Sequence, residues 1–329
     1  MTLNRLRNRH LAAWATVVFL AACASLLHAQ VPPSGERPLR MVIAFATGGS
    51  ADTVGRLVAD GLAPRLGRPV IPDNRPGATG TLGTGIVAKA EPDGDTILMA
   101  TSSSHYSAYL YRNVSYDLTR DLTPVAGLAV VPLLVVARPD LPVKNMAELV
   151  TLAKREPGKL PYATPGSGGL AHLATEMFMR ATGITMLHVP YKGVAAGVTD
   201  VMGGRVDVMF ASVSPSGPHV RAGKLKALGI TSATRPGAMP EVPAVNESVP
   251  GFEATYWLAI FAPAAVPADK VKRLNTEING VMNGDAMKQR ITDMGGVLRT
   301  GSPADFTAYL AADSAKWIRV IQETGAKVD

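Results

Sequence analysis

The chain has 329 residues, of which 47% are hydrophobic and 18% charged, and its formal net charge is +7. Such a composition indicates a globular protein of one large or two medium domains and excludes a disordered or low-complexity chain. The only cysteine is Cys23, which excludes a disulfide framework and cysteine metal sites, and no run of Lys and Arg suggests nucleic acid as a partner.

The first residues have the pattern of an export signal. Three arginines precede the apolar run 11–22, which is too short to span a bilayer and has the length of a signal-peptide core. Two maturation sites fit. A lipobox before Cys23 would remove residues 1–22 and leave a lipid-anchored cysteine, whereas ordinary cleavage after Ala29 would remove residues 1–29. In both cases we expect a periplasmic protein.

From about residue 37, short apolar runs alternate with amphipathic stretches, a pattern typical of α/β folds with parallel strands. After the first predicted strand, 41–46, apolar residues from Val54 to Leu66 recur at helical spacing. Further helices are predicted after Gly169, over 195–202, and in the C-terminal part. The other predicted strands are 96–100, 131–137, 160–164, 186–190, 206–211, 225–231 and 257–262.

Two proline-bracketed apolar segments, 124–139 and 250–267, are interpreted as crossings between two lobes. They predict a discontinuous first lobe, 37–130 and 258–329, and a continuous second lobe, 131–257. Each lobe is expected to hold a mostly parallel sheet flanked by helices. Residues 72–84 and 233–247 are interpreted as irregular loops, and no internal repeat is evident.

Two glycine-rich turns each join a predicted strand to a helix, one in each predicted lobe. A free helix N-terminus attracts an anion, and glycine allows the anion to approach the backbone closely. A single turn of this kind can also serve only to start a helix. Two such turns favour a cleft that holds a carboxylate from both sides, and they consist of Thr47, Gly48, Gly49 and Ser50 and of Ser167, Gly168 and Gly169.

Several polar residues near these turns are further candidates. The hydroxyls of Thr101, Ser102 and Ser103 either donate to a carboxylate and its waters or cap the next helix. Asp52 either recognises a donor on the ligand or serves the helix N-terminus. His172 either faces the cleft or lies behind it.

The residues do not form a recognisable enzyme site. Ser167 lacks the G-x-S-x-G elbow because Pro165 replaces the first glycine. The histidines lack metal-binding spacing, and the G-x-G-x-x-A match at 83–88 is expected to have no strand before it. We therefore expect no catalysis, no metal and no cofactor.

Taken together, several segments resemble the Bug or TctC-type extracytoplasmic solute receptors of tripartite tricarboxylate transporters. The resemblance extends from about residue 37 to the C-terminus. The segments are 38–52 (PLRMVIAFATGGSAD), 73–80 (DNRPGATG), 92–94 (PDG), 162–172 (YATPGSGGLAH), 188–193 (HVPYKG), 203–210 (GGRVDVMF), 222–232 (AGKLKALGITS) and 257–263 (WLAIFAP).

This resemblance implies a type II-like periplasmic binding protein fold with two lobes and two hinge crossings. It implies a small carboxylate held with two ordered waters between loops of both lobes, and it adds Tyr191 and Lys192 to the ligand-binding candidates. The implied partners are membrane permease subunits, and the protein is expected to be a monomer. Two alternatives stay open: a sensor subunit that presents ligand to a membrane kinase, and an exported hydrolase with Ser167 as nucleophile.

Four positions depart from the usual pattern of that family. Ala211 replaces a frequent aspartate, so an acidic ligand contact is expected to be absent. Tyr106, Tyr256 and Ala259 also differ from the common residues at their positions. Extra aromatic area near the cleft is compatible with an aromatic or larger acid, whereas packing is the simpler interpretation of each departure.

Overall fold

A computed structural model describes residues 37–111 and 113–325, so the predicted signal segment lies outside the described residues. Strands and helices alternate along most of this chain, as the apolar pattern predicts. The strands are β1 (Leu39–Ile43), β2 (Val70–Asn74), β3 (Thr96–Thr101), β4 (Leu122–Ala137), β5 (Pro161–Thr164), β6 (Leu187–Pro190), β7 (Val208–Ser212), β8 (Lys226–Ile230), β9 (Thr255–Pro263) and β10 (Val297–Leu298). The α-helices are α1 (Ser50–Leu66), α2 (Thr81–Ala88), α3 (Ser102–Leu110), α4 (Met146–Arg155), α5 (Leu170–Thr182), α6 (Val194–Met202), α7 (Val213–Arg221), α8 (Ala268–Met282), α9 (Asp285–Asp293) and α10 (Pro303–Thr324).

The strands follow the order β2-β1-β3-β9-β4-β7-β5-β6, and β8 and β10 also pair with β4. The outer strands run parallel: β1 with β2 and β3, and β5 with β6 and β7. The central strands β4 and β9 run antiparallel to their neighbours. Two parallel units are thus joined through a pair of long central strands.

The long strand β4 belongs to both units. Residues from Leu122 to Pro132 pair with β9, and residues from Leu133 to Ala137 pair with β7. The chain returns to the first unit at Thr255, where β9 begins opposite Pro132. These passages lie near the predicted crossings, and the division into lobes 37–130 with 258–329 and 131–257 stays a prediction.

The interpretation of residues 72–84 as an irregular loop was wrong. The segment contains the end of β2, a 3-10 turn at Ala78–Gly80 and the start of α2. Pro72 is compatible with a strand because β2 lies at the sheet edge. The segment's glycines serve close packing, since a Cβ at Gly83 would lie 2.7 Å from Ala44 Cα. The G-x-G-x-x-A segment therefore does follow a strand, contrary to the sequence-based expectation.

Strand β4 begins earlier than the predicted 131. Its register against β9 shifts between Pro124 and Ala126 and again between Gly127 and Ala129. Proline and glycine often occur at such irregularities within strands. They interrupt the apolar pattern by which a strand is recognised in a sequence, so this part of β4 was not predicted. Within the described residues, no helix is long and apolar enough to cross a membrane.

Candidate functional site

A cavity of about 500 Å³ lies where the strands of both parallel units end. Ligands bind at such carboxyl ends in open α/β sheets. Both glycine turns selected from the sequence line this one cavity. Its lining residues are Ala44, Phe45, Ala46, Gly49, Ser50, Ala51, Pro76, Gly77, Ala78, Thr79, Gly80, Thr101, Ser103, Tyr111, Leu133, Pro165, Gly166, Ser167, Gly169, Leu170, Ala171, Tyr191, Lys192, Gly193, Val194, Phe210, Ser212 and Tyr256.

Five helices begin at the wall of this cavity. Their N-cap residues, which all line it, are Gly49 of α1, Thr101 of α3, Gly169 of α5, Gly193 of α6 and Ser212 of α7. Only Thr101 caps its helix with a side chain, whose oxygen accepts from Ser103 N–H at 3.2 Å. First-turn N–H groups lack partners within their helix, and helix dipoles add positive potential. The cavity is therefore electrostatically suited to an anion.

The charged side chains around the cavity also favour a negatively charged ligand. Among the described residues, no aspartate or glutamate lines it. Lys192 lies at its exposed rim and takes part in none of the ion pairs found in the described part of the chain. A ligand ammonium group would therefore find no carboxylate partner, whereas a ligand carboxylate would meet both N–H groups and a cation.

The deeper walls of the cavity are apolar and aromatic, with a small hydroxyl cluster. Phe210 and Tyr256 lie among the lining residues, and the Tyr256 phenol donates to Ser212 Oγ at 3.4 Å. Burial raises the pKa of Tyr256, although the Ser212 and Ser50 hydroxyls oppose this effect, so the phenol stays neutral. Ser50 Oγ is buried at the cavity wall and has no partner of normal hydrogen-bond geometry among the described residues.

Direct hydrogen bonds connect the two sides of the cavity. Thr79 Oγ1 donates to Ser167 O at 2.6 Å, and the Tyr111 hydroxyl donates to the same oxygen at 3.3 Å. Ser103 Oγ accepts from Leu170 N–H at 3.1 Å. Thr79 has a φ of 53°, a left-handed conformation that is unfavourable for a β-branched residue. The surrounding contacts thus hold this loop against the second glycine turn.

The structure brings eight of the sequence-predicted site residues to the cavity and leaves six beside it. Thr47 and Gly48 are exposed on the outer side of the first turn, and Ser102, Gly168, Asp52 and His172 are buried behind the wall. The predicted residues that do line the cavity are Gly49, Ser50, Thr101, Ser103, Ser167, Gly169, Tyr191 and Lys192.

The Asp52 carboxylate is occupied by the protein itself. It accepts from Gly48 N–H at 2.9 Å, from Arg56 Nε at 2.9 Å and from Asn74 Nδ2 at 2.9 Å. Only 6% of Asp52 is exposed. The geometry therefore fits an Asp52 that stabilises the N-terminus of its helix better than an Asp52 that recognises a donor on the ligand.

The His172 ring is similarly engaged. Its Nδ1 accepts from Gly168 N–H at 3.2 Å, and its plane stacks on His188 with ring centroids 4.3 Å apart. Burial lowers the pKa of His172, which keeps the ring neutral and able to accept. The ring therefore lies directly behind the second glycine turn.

Of the four departures from the family pattern, only Tyr256 lies at the cavity. Tyr106 is fully buried, hydrogen-bonds to Asp313 and packs against Trp317. Ala211 and Ala259 are buried in strands β7 and β9. Packing explains these three residues.

Sequence reasoning missed several lining residues. Gly193 could have been found, because it follows a predicted strand and precedes a helix as the other two glycine turns do. Thr79 and Tyr111 gave no local signal, since their partner Ser167 is 88 and 56 residues away in the chain. Ser212 directly follows the predicted strand 206–211, and nothing in the local sequence shows that it lines the cavity.

The geometry gives no support to a nucleophilic serine at this site. No histidine within the described residues hydrogen-bonds to the Ser167 hydroxyl, and His172, five residues later in the chain, accepts from Gly168 instead. The described ranges also contain no group of three or more His, Cys, Asp or Glu that could hold a metal ion.

Comparison with known proteins identifies the architecture. Residues 54–326 match the model of the tripartite tricarboxylate transporter family receptor. Protein BugT of Bordetella pertussis (strain Tohama I) is 33% identical over 324 residues, covering 98% of this chain and 99% of BugT.

Two solved structures show a similar fold. R. palustris Rpa4515 with adipate has a TM-score of 0.86 and 33% identity, over 89% of this chain and 99% of that one. The periplasmic binding protein BugD has a TM-score of 0.84 and 32% identity, over 89% and 99% of the two chains. These likenesses confirm the expected two-lobed periplasmic binding protein fold.

Proposed function

The chain belongs to the tripartite tricarboxylate transporter receptor family, and we propose that it is a periplasmic receptor that binds a small carboxylate and delivers it to membrane permease subunits. The observation that carries this proposal is the convergence of five helix N-termini, from both predicted lobes, on one cavity whose described lining contains no acidic side chain. Adipate bound to the similar protein Rpa4515 supports the class of ligand.

The ligand carboxylate binds between the first turns of α1 and α5. Gly49 and Gly169 have no side chain that could cap their helices, so they leave first-turn N–H groups for the anion. In α5 the Leu170 N–H is the exception, because it donates to Ser103 Oγ. Each charge-assisted hydrogen bond to a carboxylate is stronger than one between neutral groups. Two helix N-termini from different lobes therefore hold the anion only when they are close together.

The rest of the ligand is an apolar body without an ammonium group. Phe45, Leu133, Phe210 and Tyr256 provide aliphatic and aromatic contact area along the cavity. Because the described lining contains no acidic side chain, an amino group would lose its hydration without gaining a partner. The site thus discriminates against amino acids of the same length.

Closure couples binding to delivery. The hydrogen bonds of Thr79 and Ser103 across the cavity are available only when the two lobes are together. A carboxylate that contacts both lobes favours this closed arrangement, which the membrane subunits then recognise. No covalent bond is made or broken in this cycle.

Thermal-shift and calorimetric screening of a carboxylate panel tests the proposal. Two matched pairs of compounds test the two parts of the proposal separately. Comparing adipate with adipamide tests the need for negative charge, and comparing glutarate with glutamate tests the effect of one added ammonium group. We expect stabilisation by at least one of adipate, glutarate, succinate and benzoate, and none by adipamide or glutamate. Equal binding of the charged and uncharged partner in the first pair would contradict a carboxylate site.

The partner and the location need separate measurements. Co-purification with permease subunits supports delivery, whereas capture of a membrane kinase supports the sensor alternative, and labelling of Ser167 by a fluorophosphonate supports the hydrolase alternative. The intact mass of the mature protein distinguishes Cys23 from Gln30 as its first residue. Recovery of the full-length chain from the cytoplasm would contradict export.

A further inference from the structure

The two glycine turns at the cavity repeat each other in sequence and in geometry. Residues 47–52 read TGGSAD and residues 167–172 read SGGLAH. Gly48 and Gly168 have left-handed φ angles of 82° and 77°. The next glycines have φ/ψ of −82°/174° and −82°/172° and each begins a helix.

The last residue of each repeat holds the turn from behind. Asp52 Oδ2 accepts from Gly48 N–H at 2.9 Å, and His172 Nδ1 accepts from Gly168 N–H at 3.2 Å. The acceptor stands four residues after the donor in both cases. Both acceptors are buried, with 6% and 8% exposure, and neither lines the cavity. The repeated element is therefore a left-handed glycine, an uncapped N-cap glycine and a buried acceptor.

Resting on the proposed function, we propose that Asp52 and His172 are equivalent positioning residues, each fixing the carboxylate-binding turn of its own lobe, and that His172 makes binding sensitive to pH. Each acceptor binds the N–H of the left-handed glycine, which is then not available to a ligand. It thereby fixes the orientation of the N–H groups of the residues that follow this glycine. Protonation of His172 at Nδ1 would direct an N–H at the Gly168 N–H and release that turn.

The surroundings of His172 define how it titrates. Glu176 Oε1 lies 3.6 Å from His172 Nε2, and the Tyr162 hydroxyl donates to the same carboxylate at 2.9 Å. The stacked His188 ring is the other titratable neighbour. Among the described residues of α3, β7 and α10, which also pack against α5, no charged side chain forms an ion pair or ring contact with His172.

The neighbouring His188 supports the same turn from β6. Thr164 Oγ1 donates to Gly166 O at 3.0 Å, so this hydroxyl accepts from His188 Nε2 at 2.6 Å. Burial, and then the nearby His172, lower the pKa of His188 to about 4. Because the pKa of His172 is lowered from 6.5 as well, both rings are neutral above about pH 6.5 and the turn is then intact.

Binding of the panel acid that stabilises the wild type most, among adipate, glutarate, succinate and benzoate, is measured between about pH 5 and pH 8. His172→Asn keeps an acceptor near the position of Nδ1 but cannot titrate. We expect wild-type affinity to fall on the acid side and His172→Asn to follow only the titration of the acid itself. His172→Ala should bind roughly tenfold to hundredfold more weakly than wild type at neutral pH, and this difference should shrink on the acid side.

The first turn and the other titrating ring provide matched variants. Asp52→Asn keeps one acceptor for Gly48 N–H but turns its NH2 group toward Arg56 and Asn74, so it should bind better than Asp52→Ala and less well than wild type. Asp52→Ala should lose affinity as His172→Ala does. Asp60→Ala, on an exposed position of α1, should change nothing. His188→Gln removes the second titrating ring and should retain the acid-side loss of affinity.

A measurement without ligand separates this inference from the proposed function. In NMR spectra of the ligand-free protein, the Gly168 amide should shift with the titration of His172, and this shift should be absent in His172→Asn. If the wild type bound no panel acid but the Gly168 amide titrated in this way, the proposed function would fail and the positioning role would stand. A Gly168 amide indifferent to pH and to His172→Ala, or wild-type pH dependence in His172→Asn, would overturn the inference.

Discussion

At the scale of single residues, the two N-cap glycines have different reasons to lack a side chain. A Cβ at Gly49 would meet only Ala46 O, at 3.8 Å, so the space in front of this residue belongs to the cavity. A Cβ at Gly169 would lie 3.0 Å from Thr79 Cγ2, on the opposite side of the cleft. Gly49 thus leaves open space at the cavity, and Gly169 leaves room for the close approach of Thr79.

Gly49→Val should abolish carboxylate binding without unfolding the protein. The φ/ψ of Gly49 is accessible to valine, and its side chain would occupy the place of the anion. Loss of two charge-assisted hydrogen bonds weakens binding by roughly a hundredfold or more. Calorimetry with a panel acid measures the effect, and Gly237→Val, at an open position outside the cavity, is the control. Unchanged affinity of Gly49→Val would exclude the first turn from the site.

At the scale of elements, the cavity is closed by a strained loop that reaches a distant turn. Residues Ala78 and Thr79 both have left-handed φ angles, of 44° and 53°. Thr79 hydrogen-bonds to Ser167 O, and Thr84 Oγ1 donates to Gly80 O at 2.8 Å and fixes the following helix. Strained backbone of this kind persists where the surroundings determine it, often at ligand clamps.

Thr79→Ala should weaken binding by about fivefold, because one hydrogen bond of the closed arrangement is lost. Thr79→Ser keeps the hydroxyl and removes the β-branch from a left-handed position, so it should bind at least as well as wild type. Thermal unfolding without ligand should be little changed in both, and Thr151→Ala on α4 is the exposed control. Equal loss of affinity in the serine and alanine variants would contradict a role for the hydroxyl.

The sequence predicted those elements whose signals are local. Both glycine turns combine an apolar strand, glycines and a helical stripe within about twenty residues, and both lie at the cavity. Strand β2 and helix α2 were not predicted, because Pro72 and the glycines of that segment are typical of a loop. Thr79 and Tyr111 were not predicted as site residues, because their roles arise from packing against Ser167, far away in the chain.

At the scale of the whole molecule, one buried and one partly buried histidine link folding to pH. Burial lowers the pKa of His105 to about 4, and the pKa of His188 is also about 4. His105 lies on α3, and its Nε2 is 2.5 Å from Ser314 Oγ of the C-terminal helix α10. Neutral imidazoles thus take part in packing within both predicted lobes.

The free energy of unfolding should therefore decrease as the pH falls from about 6.5 toward about 4. In this window the unfolded chain binds protons that the folded protein excludes, and above it both states are neutral. The loss is about 1.4 kcal/mol per pKa unit of difference for a fully excluded proton. Urea unfolding across this range measures it, and His105→Asn and His188→Gln should each reduce the slope if they remain folded. Constant stability over the window would contradict neutral burial.

The central claim is that one carboxylate is held by both lobes at once. The most direct test follows the backbone amides of Gly49 and Gly169 by NMR while the tightest-binding panel acid is added. Both amides should shift to lower field, with the same dissociation constant, and neither should respond to the matched uncharged amide. A shift at only one of the two turns, or different dissociation constants for the two, would contradict a site shared between the lobes.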